Sequence, residues 1–282
     1  MTGTAFSRGP GVAFPGGRPL PVLLGMVHLR PLPGSPGCRG DMHEVMSHAS
    51  ADLAAIIAGG GDGAVVENFW DSPFHGDRVP PVTVAALATI VSRLRDRAPA
   101  GFLLGVNVLR NDAASALSIA HAAGASFIRV NVHMGAVVSD QGILQGRADE
   151  TLRLRRSLGA AVSILADVAV KHSAPLVERP IEQEVLDLAE RGMADGILVT
   201  GPRTGSPVDP ERLIRARRVA PGIPLLAASG IDPDSARLLA PHCDGFIVGG
   251  WIKEGGRIEA PVDRDRVAAL AAIVRDESGR AG

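Results

Sequence analysis

Cysteine is scarce in this chain: Cys38 and Cys243 are the only two in 282 residues. Two cysteines cannot build a disulfide framework, and these two lack the paired spacing of a structural zinc site, so a reducing, cytoplasmic setting is expected. Charge imbalance is absent too. The formal net charge is -1, and lysine and arginine are spread out rather than clustered. That leaves no electrostatic footprint for nucleic acid or an anionic membrane surface. No apolar run approaches the roughly 20 residues that span a bilayer, and no basic amphipathic helix of the membrane-binding kind is present. Residues 1–20, rich in Gly, Pro and Arg, hold no apolar stretch long enough for a signal-peptide core; they are expected to form a flexible or bottom-plugging arm. These exclusions point to a soluble protein whose partner is a small molecule.

What is present is apolar material in a regular arrangement. With 46% hydrophobic and 21% charged residues, the chain can bury a large core, enough for one α/β barrel or two smaller domains. Strand-like runs rich in Val, Ile and Leu alternate with helix-like runs, the pattern of repeated βαβ units around a parallel sheet. Eight strands are expected: Leu23 to Leu29, Gly63 to Asn68, Phe102 to Val108, Phe127 to Val132, Ser163 to Val170, Gly196 to Thr200, Pro224 to Ser229 and Gly245 to Gly249. Between them, apolar residues recur at helical spacing, as in Leu87, Ile90, Val91 and Leu94. Asp209-Pro210-Glu211, Asp232-Pro233-Asp234 and Asp263-Arg264-Asp265 have the form of helix starts with negative charge in the first turn. An internal echo, Asp62-Gly63, Asp195-Gly196 and Asp244-Gly245, precedes three of the strands. With eight units and no composition break, the expected fold is α/β, a single (β/α)8 TIM barrel over residues 21–282. The G-x-G-x-x-G fingerprint of a dinucleotide-binding sheet is absent.

Several of these apolar runs end in polar side chains. His28, Glu67, Asn107, the Arg129/Asn131/His133 series and the Asp167/Lys171 pair would converge on the mouth at the strand C-termini, where such barrels place their chemistry. Side chains alternate faces along a strand, so Arg129, Asn131 and His133 are expected to share one side, as are Asp167 and Lys171. A partly desolvated Lys171 could form a Schiff base or shuttle protons with Asp167, and an isolated Glu67 suits a general base. His28 and His133 would polarise oxygen, and with Glu67 and Asp167 could hold a divalent metal, although no H-x-H or H-E-x-x-H spacing is present. No cofactor is required by the sequence. For Asp71 a loop-capping role is expected. Ser229-Gly230 and Gly249-Gly250 follow strands seven and eight; their small residues would let backbone N–H groups and a helix N-terminus approach a phosphate, with Thr200-Gly201 and Arg203 as a further wall.

These residues carry a resemblance. Gly25-Met26-Val27-His28-Leu29-Arg30-Pro31-Leu32-Pro33-Gly34-Ser35-Pro36, Asp62 to Phe74, Arg129-Val130-Asn131-Val132, Ala166-Asp167-Val168-Ala169-Val170-Lys171-His172, Val199-Thr200-Gly201 and Asp244 to Gly250 resemble the BtpA/SgcQ family. The resemblance covers nearly everything after residue 20 and implies a barrel of the ribulose-phosphate-binding type. It does not name a reaction: it points both to photosystem I biogenesis and to sugar catabolism. Where many relatives have Gly followed by Thr or Ser, this chain has Gly250-Trp251, an indole expected to narrow the pocket. The expected function is therefore an enzyme of carbohydrate or nucleoside metabolism acting on a phosphorylated sugar or ribosyl compound, whether isomerase, lyase or glycosidic-bond hydrolase. In that reading Asn107, Arg129 and Asn131 hold hydroxyls. The alternatives are a non-enzymatic assembly factor for a membrane complex and a metal-dependent hydrolase. A homo-oligomer is possible through the helices near Val84 to Leu94 and Val267 to Val274.

Overall fold

A computed structural model describes residues 14, 17, 19–168, 170, 172–201 and 208–280. In chain order the elements are β1 (Val22–His28), α1 (Met42–Ala58), β2 (Gly63–Glu67), α2 (Pro81–Arg97), β3 (Leu103–Asn107), α3 (Ala113–Ala123), β4 (Phe127–Val130), β5 (Ala136–Ser139), β6 (Gly142–Gln145), α4 (Ala148–Ser157), β7 (Ser163–Val168), β8 (Ser173–Pro175), α5 (Ile181–Leu186), β9 (Gly196–Thr200), α6 (Pro210–Val219), β10 (Leu225–Ala228), α7 (Pro233–Leu239), β11 (Gly245–Val248) and α8 (Arg264–Arg280). Strands β1, β2, β3, β4, β7, β9, β10 and β11 pair in parallel and close on themselves as the expected (β/α)8 barrel. Every barrel strand except β9 is shorter at one or both ends than its apolar run suggests. The largest differences are at β4, which stops at Val130, and β7, which stops at Val168.

Strand alternation divides each barrel strand between two cores. The inward set, Val22, Leu24, Met26, Val65, Leu103, Phe127, Leu165, Leu198, Leu226 and Ile247, fills the barrel interior. The outward set, including Val27, Val66, Val106, Ile128 and Val199, packs against the helices. Both faces are dry, which is why the runs read as continuously apolar. Phe14 joins the inner cluster with its ring edge-on to Phe127, centroids 5.7 Å apart, and so closes the floor. Gly105 faces the same ring: a Cβ there would lie within the Phe127 side chain. The interior is thus a packed column whose apolar layers end one step below the strand C-termini.

The Asp-Gly echo is a strand clamp. Asp62 Oδ2 accepts from Leu23 N at 2.9 Å while its own N donates to Leu23 O at 2.8 Å. Asp195 treats Ile164 in the same way, with both bonds at 2.8 Å, and Asp244 treats Leu225 at 2.8 and 2.7 Å. Each carboxylate therefore satisfies a backbone donor at the start of the neighbouring strand, which would otherwise lack a partner. The glycine that follows is required by close approach, since a Cβ at Gly63 or Gly245 would meet the adjacent strand's backbone.

The predicted caps form. Asp209, Asp232 and Asp263 each accept backbone donors from the first helical turn, and Asp232 and Ser235 make a reciprocal capping box. Asp71 is a loop anchor, with Oδ1 accepting from Leu32 N at 2.7 Å and Oδ2 from Asn68 at 3.1 Å. One feature was not expected: β5, β6 and β8 form a small antiparallel sheet in the excursions after β4 and β7, on the mouth side of the barrel. Among the described residues no helix is long and apolar enough to cross a membrane.

Candidate functional site

The barrel register sets three polar residues side by side. His28 on β1 is paired with Glu67 on β2, and Glu67 with Asn107 on β3, all at the last inward position of their strands. Glu67 is buried at 6% exposure, and its Oε2 receives a 2.5 Å hydrogen bond from Asn107 Nδ2. Its Oε1 lies 3.9 Å from His28 Nε2, close enough for electrostatic attraction but longer than a hydrogen bond. The His28 ring is stacked on Phe69 with centroids 4.3 Å apart. Gly249 makes room for it: a Cβ there would stand 3.1 Å from His28 Cε1.

Beside this trio, Arg129 and Asp167 form a two-pronged ion pair, Nε to Oδ1 at 2.9 Å and Nη2 to Oδ2 at 2.8 Å, and Asn131 Nδ2 adds a third donor to Oδ2 at 2.9 Å. Burial works against the Arg129 charge, but the Asp167 carboxylate and its hydrogen bonds outweigh it and hold the guanidinium's pKa above its usual value. Both oxygens of Asp167 are engaged, so the structure makes it a holder of Arg129. Arg110, in the loop after β3, was not foreseen. It is buried, and burial lowers its pKa against the opposing charges of Asp167 and Glu67. Two buried cations thus balance two buried anions at the mouth. Sequence reasoning passed over Arg110 because it lies three residues beyond the strand, where alternation no longer gives a direction.

A cavity of about 340 Å³ opens over these groups. His28, Glu67, Phe69 and Arg129 form one wall; Ser229, Gly230, Asp232, Gly249, Gly250 and Trp251 form the facing one. Ser229 and Gly230 have φ of 82° and 60°. For the non-glycine Ser229 this left-handed conformation costs about 1–2 kcal/mol. Trp251 lines the cavity, its indole covered on one face by the Arg266 guanidinium at 4.2 Å. The segment carrying it is pinned from below by a buried ion pair, Lys253 Nζ to Asp52 Oδ2 at 2.6 Å. Asn131 and Asp167 face a second, adjoining cavity of about 260 Å³.

Some expectations are corrected. His133 does not share a side with Arg129 and Asn131, because β4 ends at Val130 and strand alternation ends with it. Its Nε2 instead lies 2.8 Å from Gly192 O, just after the helical segment Asp187–Arg191 that continues α5, and burial lowers its pKa, favouring the neutral imidazole. It lines neither cavity, and neither do Thr200 and Gly201, buried at the end of β9. The helix N-terminus proposed for a phosphate is occupied: Asp232 caps α7, and its hydrogen bonds to Ser235 lower its pKa, which keeps a carboxylate there. Among the described residues no three His, Cys, Asp or Glu side chains gather as a metal site. Lys171, Arg203 and the rest of 202–207 lie outside the described residues.

Comparison with known proteins places this architecture. The chain is 46% identical over 248 residues to the photosystem I biogenesis protein BtpA of Synechocystis, covering 88% of this chain and 86% of that protein. It is also 46% identical over 248 residues to an uncharacterized protein of Pyrococcus furiosus, covering 88% and 92% respectively. Among solved structures, phosphoribosyl anthranilate isomerase from Thermus thermophilus superposes with a TM-score of 0.54 at 11% identity, over 90% of this chain and 98% of that one, a likeness of fold alone. The BtpA family profile matches residues 20–276, and with relatives at this level of identity the chain belongs to the BtpA family.

Proposed function

We propose that the protein is an enzyme that moves protons at the carbonyl or anomeric carbon of a phosphorylated sugar or ribosyl compound bound in the barrel mouth. The observation that carries this reading is the placement of Glu67: a buried carboxylate, fixed by Asn107 and 3.9 Å from His28, on the wall of a 340 Å³ cavity. Burying polar and charged groups is costly, and such groups are retained where they have partners and a use. Glu67 is the general base, Asn107 fixes which carboxylate oxygen faces the substrate, and His28 hydrogen-bonds the substrate oxygen that gains charge. Arg129 spends two of its five N–H donors on Asp167, and the remaining donors serve substrate hydroxyls. Lys171, four residues after Asp167, keeps its assignment as the amine of an aldolase-type step.

Asp232 at the capped end of α7 shapes what the opposite wall can bind. A phosphate there is held by backbone N–H groups of the Gly230 and Gly249–Trp251 turns, at a distance from Asp232. The name of the phosphoribosyl anthranilate isomerase neighbour, which shares the fold, is in keeping with a phosphoribosyl-sized ligand. Ribose 5-phosphate binding tighter than ribose supports the phosphate assignment; equal binding removes it. Glu67→Gln is expected to lower turnover of the responsive substrate by about 10²- to 10⁴-fold with its affinity largely kept. Borohydride trapping that requires Lys171 selects the lyase branch.

The Synechocystis relative's name favours a second reading, an assembly factor for a membrane complex. Under that reading Glu67→Gln leaves the assembly phenotype intact, and mutations on the outer surface abolish it.

A further inference from the structure

The ring of helices around the barrel has a gap on the side of α4. That helix packs against α3 but scarcely against α5 or the π-helical segment Asp187–Arg191 that continues it. A groove of about 620 Å³ runs along α4 here, past Ala148, Leu152 and Arg156, with Arg191 and Met193 across from them. Met134, Leu152 and Met193 supply its apolar surface. The backbone is arranged to present these methionines. Gly192 packs tightly beside Met134: a Cβ there would lie 3.1 Å from Met134 Cγ and 2.9 Å from Leu188 O. His133, which the proposed chemistry does not use, fixes the same turn through Nε2, 2.8 Å from Gly192 O. Met193 follows in the left-handed region at φ 46°, unfavourable for a residue with a side chain, and is left 59% exposed. Strain that ends in an exposed apolar side chain does nothing for the core, and such strain is commonly held where a surface is used.

Charge around this apolar surface is one-sided. Arg153, Arg156 and Arg191 line the groove against a single carboxylate, Asp149, in a chain whose formal net charge is -1. Asp149 is matched by Arg153 at 3.2 Å, and among the described residues no ion pair or hydrogen bond engages the guanidinium of Arg156 or Arg191. No aromatic side chain lines the groove, so it offers no stacking platform for nucleic-acid bases. From these observations we infer that the groove is a docking site for an acidic amphipathic helix of a partner protein, with its apolar stripe on Met134, Leu152 and Met193 and its carboxylates on Arg156 and Arg191. α4 has ten residues, about 15 Å, enough for roughly two to three turns of a docked helix. Methionine suits such a surface because its unbranched side chain repacks around different apolar anchors. The inference is independent of the chemistry assigned to the barrel mouth.

The probe is a phage-displayed library of helical peptides of about 15 residues, with leucine fixed at i, i+3, i+4 and i+7 spacing and every other position drawn from Ala, Gln, Glu and Lys, selected on the full chain. Selected peptides are expected to be rich in Glu over Lys and to shift the Met134 and Met193 methyl signals of methionine-labelled protein, while Met26 in the first cavity stays unmoved. Arg156→Glu combined with Arg191→Glu, both at exposed positions, is expected to weaken these peptides by about tenfold or more, and selection on that variant to favour Lys. Arg93→Glu, exposed on α2 away from the groove, is the control and should change nothing. Met193→Gly is expected to weaken the peptides while the melting midpoint holds or rises, since glycine takes the left-handed conformation without strain. Selection that enriches no sequence or is blind to charge, binding that survives the double reversal, or a Met193→Gly midpoint that falls with peptide binding kept would overturn the assignment. So would a dimer of the chain, or binding to phosphatidylglycerol vesicles, that the same double reversal abolishes, because either gives the groove a different occupant.

Discussion

The ion pair between Arg129 and Asp167 gives a prediction whose size follows from burial. The two side chains are 7% and 1% exposed, and Asp167 takes two hydrogen bonds from Arg129 against one from Asn131. Arg129→Leu therefore strands a carboxylate in a nearly dry layer with a single donor left. Removing one member of a buried pair costs about 3–5 kcal/mol, and Asp167→Leu should cost a similar amount by stranding the guanidinium. Together the two single losses come to roughly 6–10 kcal/mol. The double variant removes both charges and leaves only the Asn131 amide without its partner, a loss of about 1–3 kcal/mol. A coupling of at least about 3 kcal/mol is therefore expected between the two positions. Urea unfolding of the wild type, both single variants and the double, analysed by linear extrapolation with unchanged slopes, measures it. Additivity to within about 0.5 kcal/mol would show that the pair is solvated rather than buried.

Other consequences follow from single contacts. Burial lowers the His133 pKa from 6.5. As pH falls below about 6.5 the unfolded chain takes up a proton that the folded chain refuses, so stability should decline by up to about 1.4 kcal/mol per pH unit. His133→Gln, which keeps a donor for Gly192 O, should flatten that part of the urea-midpoint profile between pH 5 and 7. Gly105→Ala would place a methyl within the Phe127 ring and should cost about 1–3 kcal/mol or more, with Phe127→Leu in the same chain restoring part of the loss in thermal melts. Burial pushes the Cys243 thiol up to about 12, so a thiol reagent at neutral pH should titrate only Cys38 in the folded protein and both cysteines in denaturant. Rapid native labelling of both would contradict the packing around β11.

How far the sequence spoke depended on whether a residue lay within a regular element. Inside the strands it was dependable. The two-residue alternation put His28, Glu67, Asn107 and Arg129 on the inward face, and the parallel register then brought three of them to one level. It failed where a strand stopped early. Alternation carried past Val130 pointed His133 inward, whereas the chain turns there and sends the imidazole to Gly192. Arg110 and the β5–β6 hairpin lie in loops, where direction is set by long-range packing that periodicity does not encode. The Asp-Gly echo was legible as a repeat but not as a clamp, because its partner donors come from the neighbouring strand. The open helix terminus expected for a phosphate was lost to a local rule already visible in Asp232-Pro233-Asp234-Ser235: a capping aspartate fills the place an anion would take.

The most direct measurement is proton NMR in deuterated water on a panel of phosphorylated sugars and ribosyl compounds incubated with the wild type and with Glu67→Gln. It reports deuterium wash-in beside a carbonyl and cleavage at an anomeric carbon in one spectrum. Exchange or cleavage with the wild type, cut by about two orders of magnitude or more in Glu67→Gln while the variant remains folded, is the predicted result. A reaction that proceeds equally without the Glu67 carboxylate, or no reaction across the whole panel, would contradict the assignment of the barrel mouth as an acid/base site.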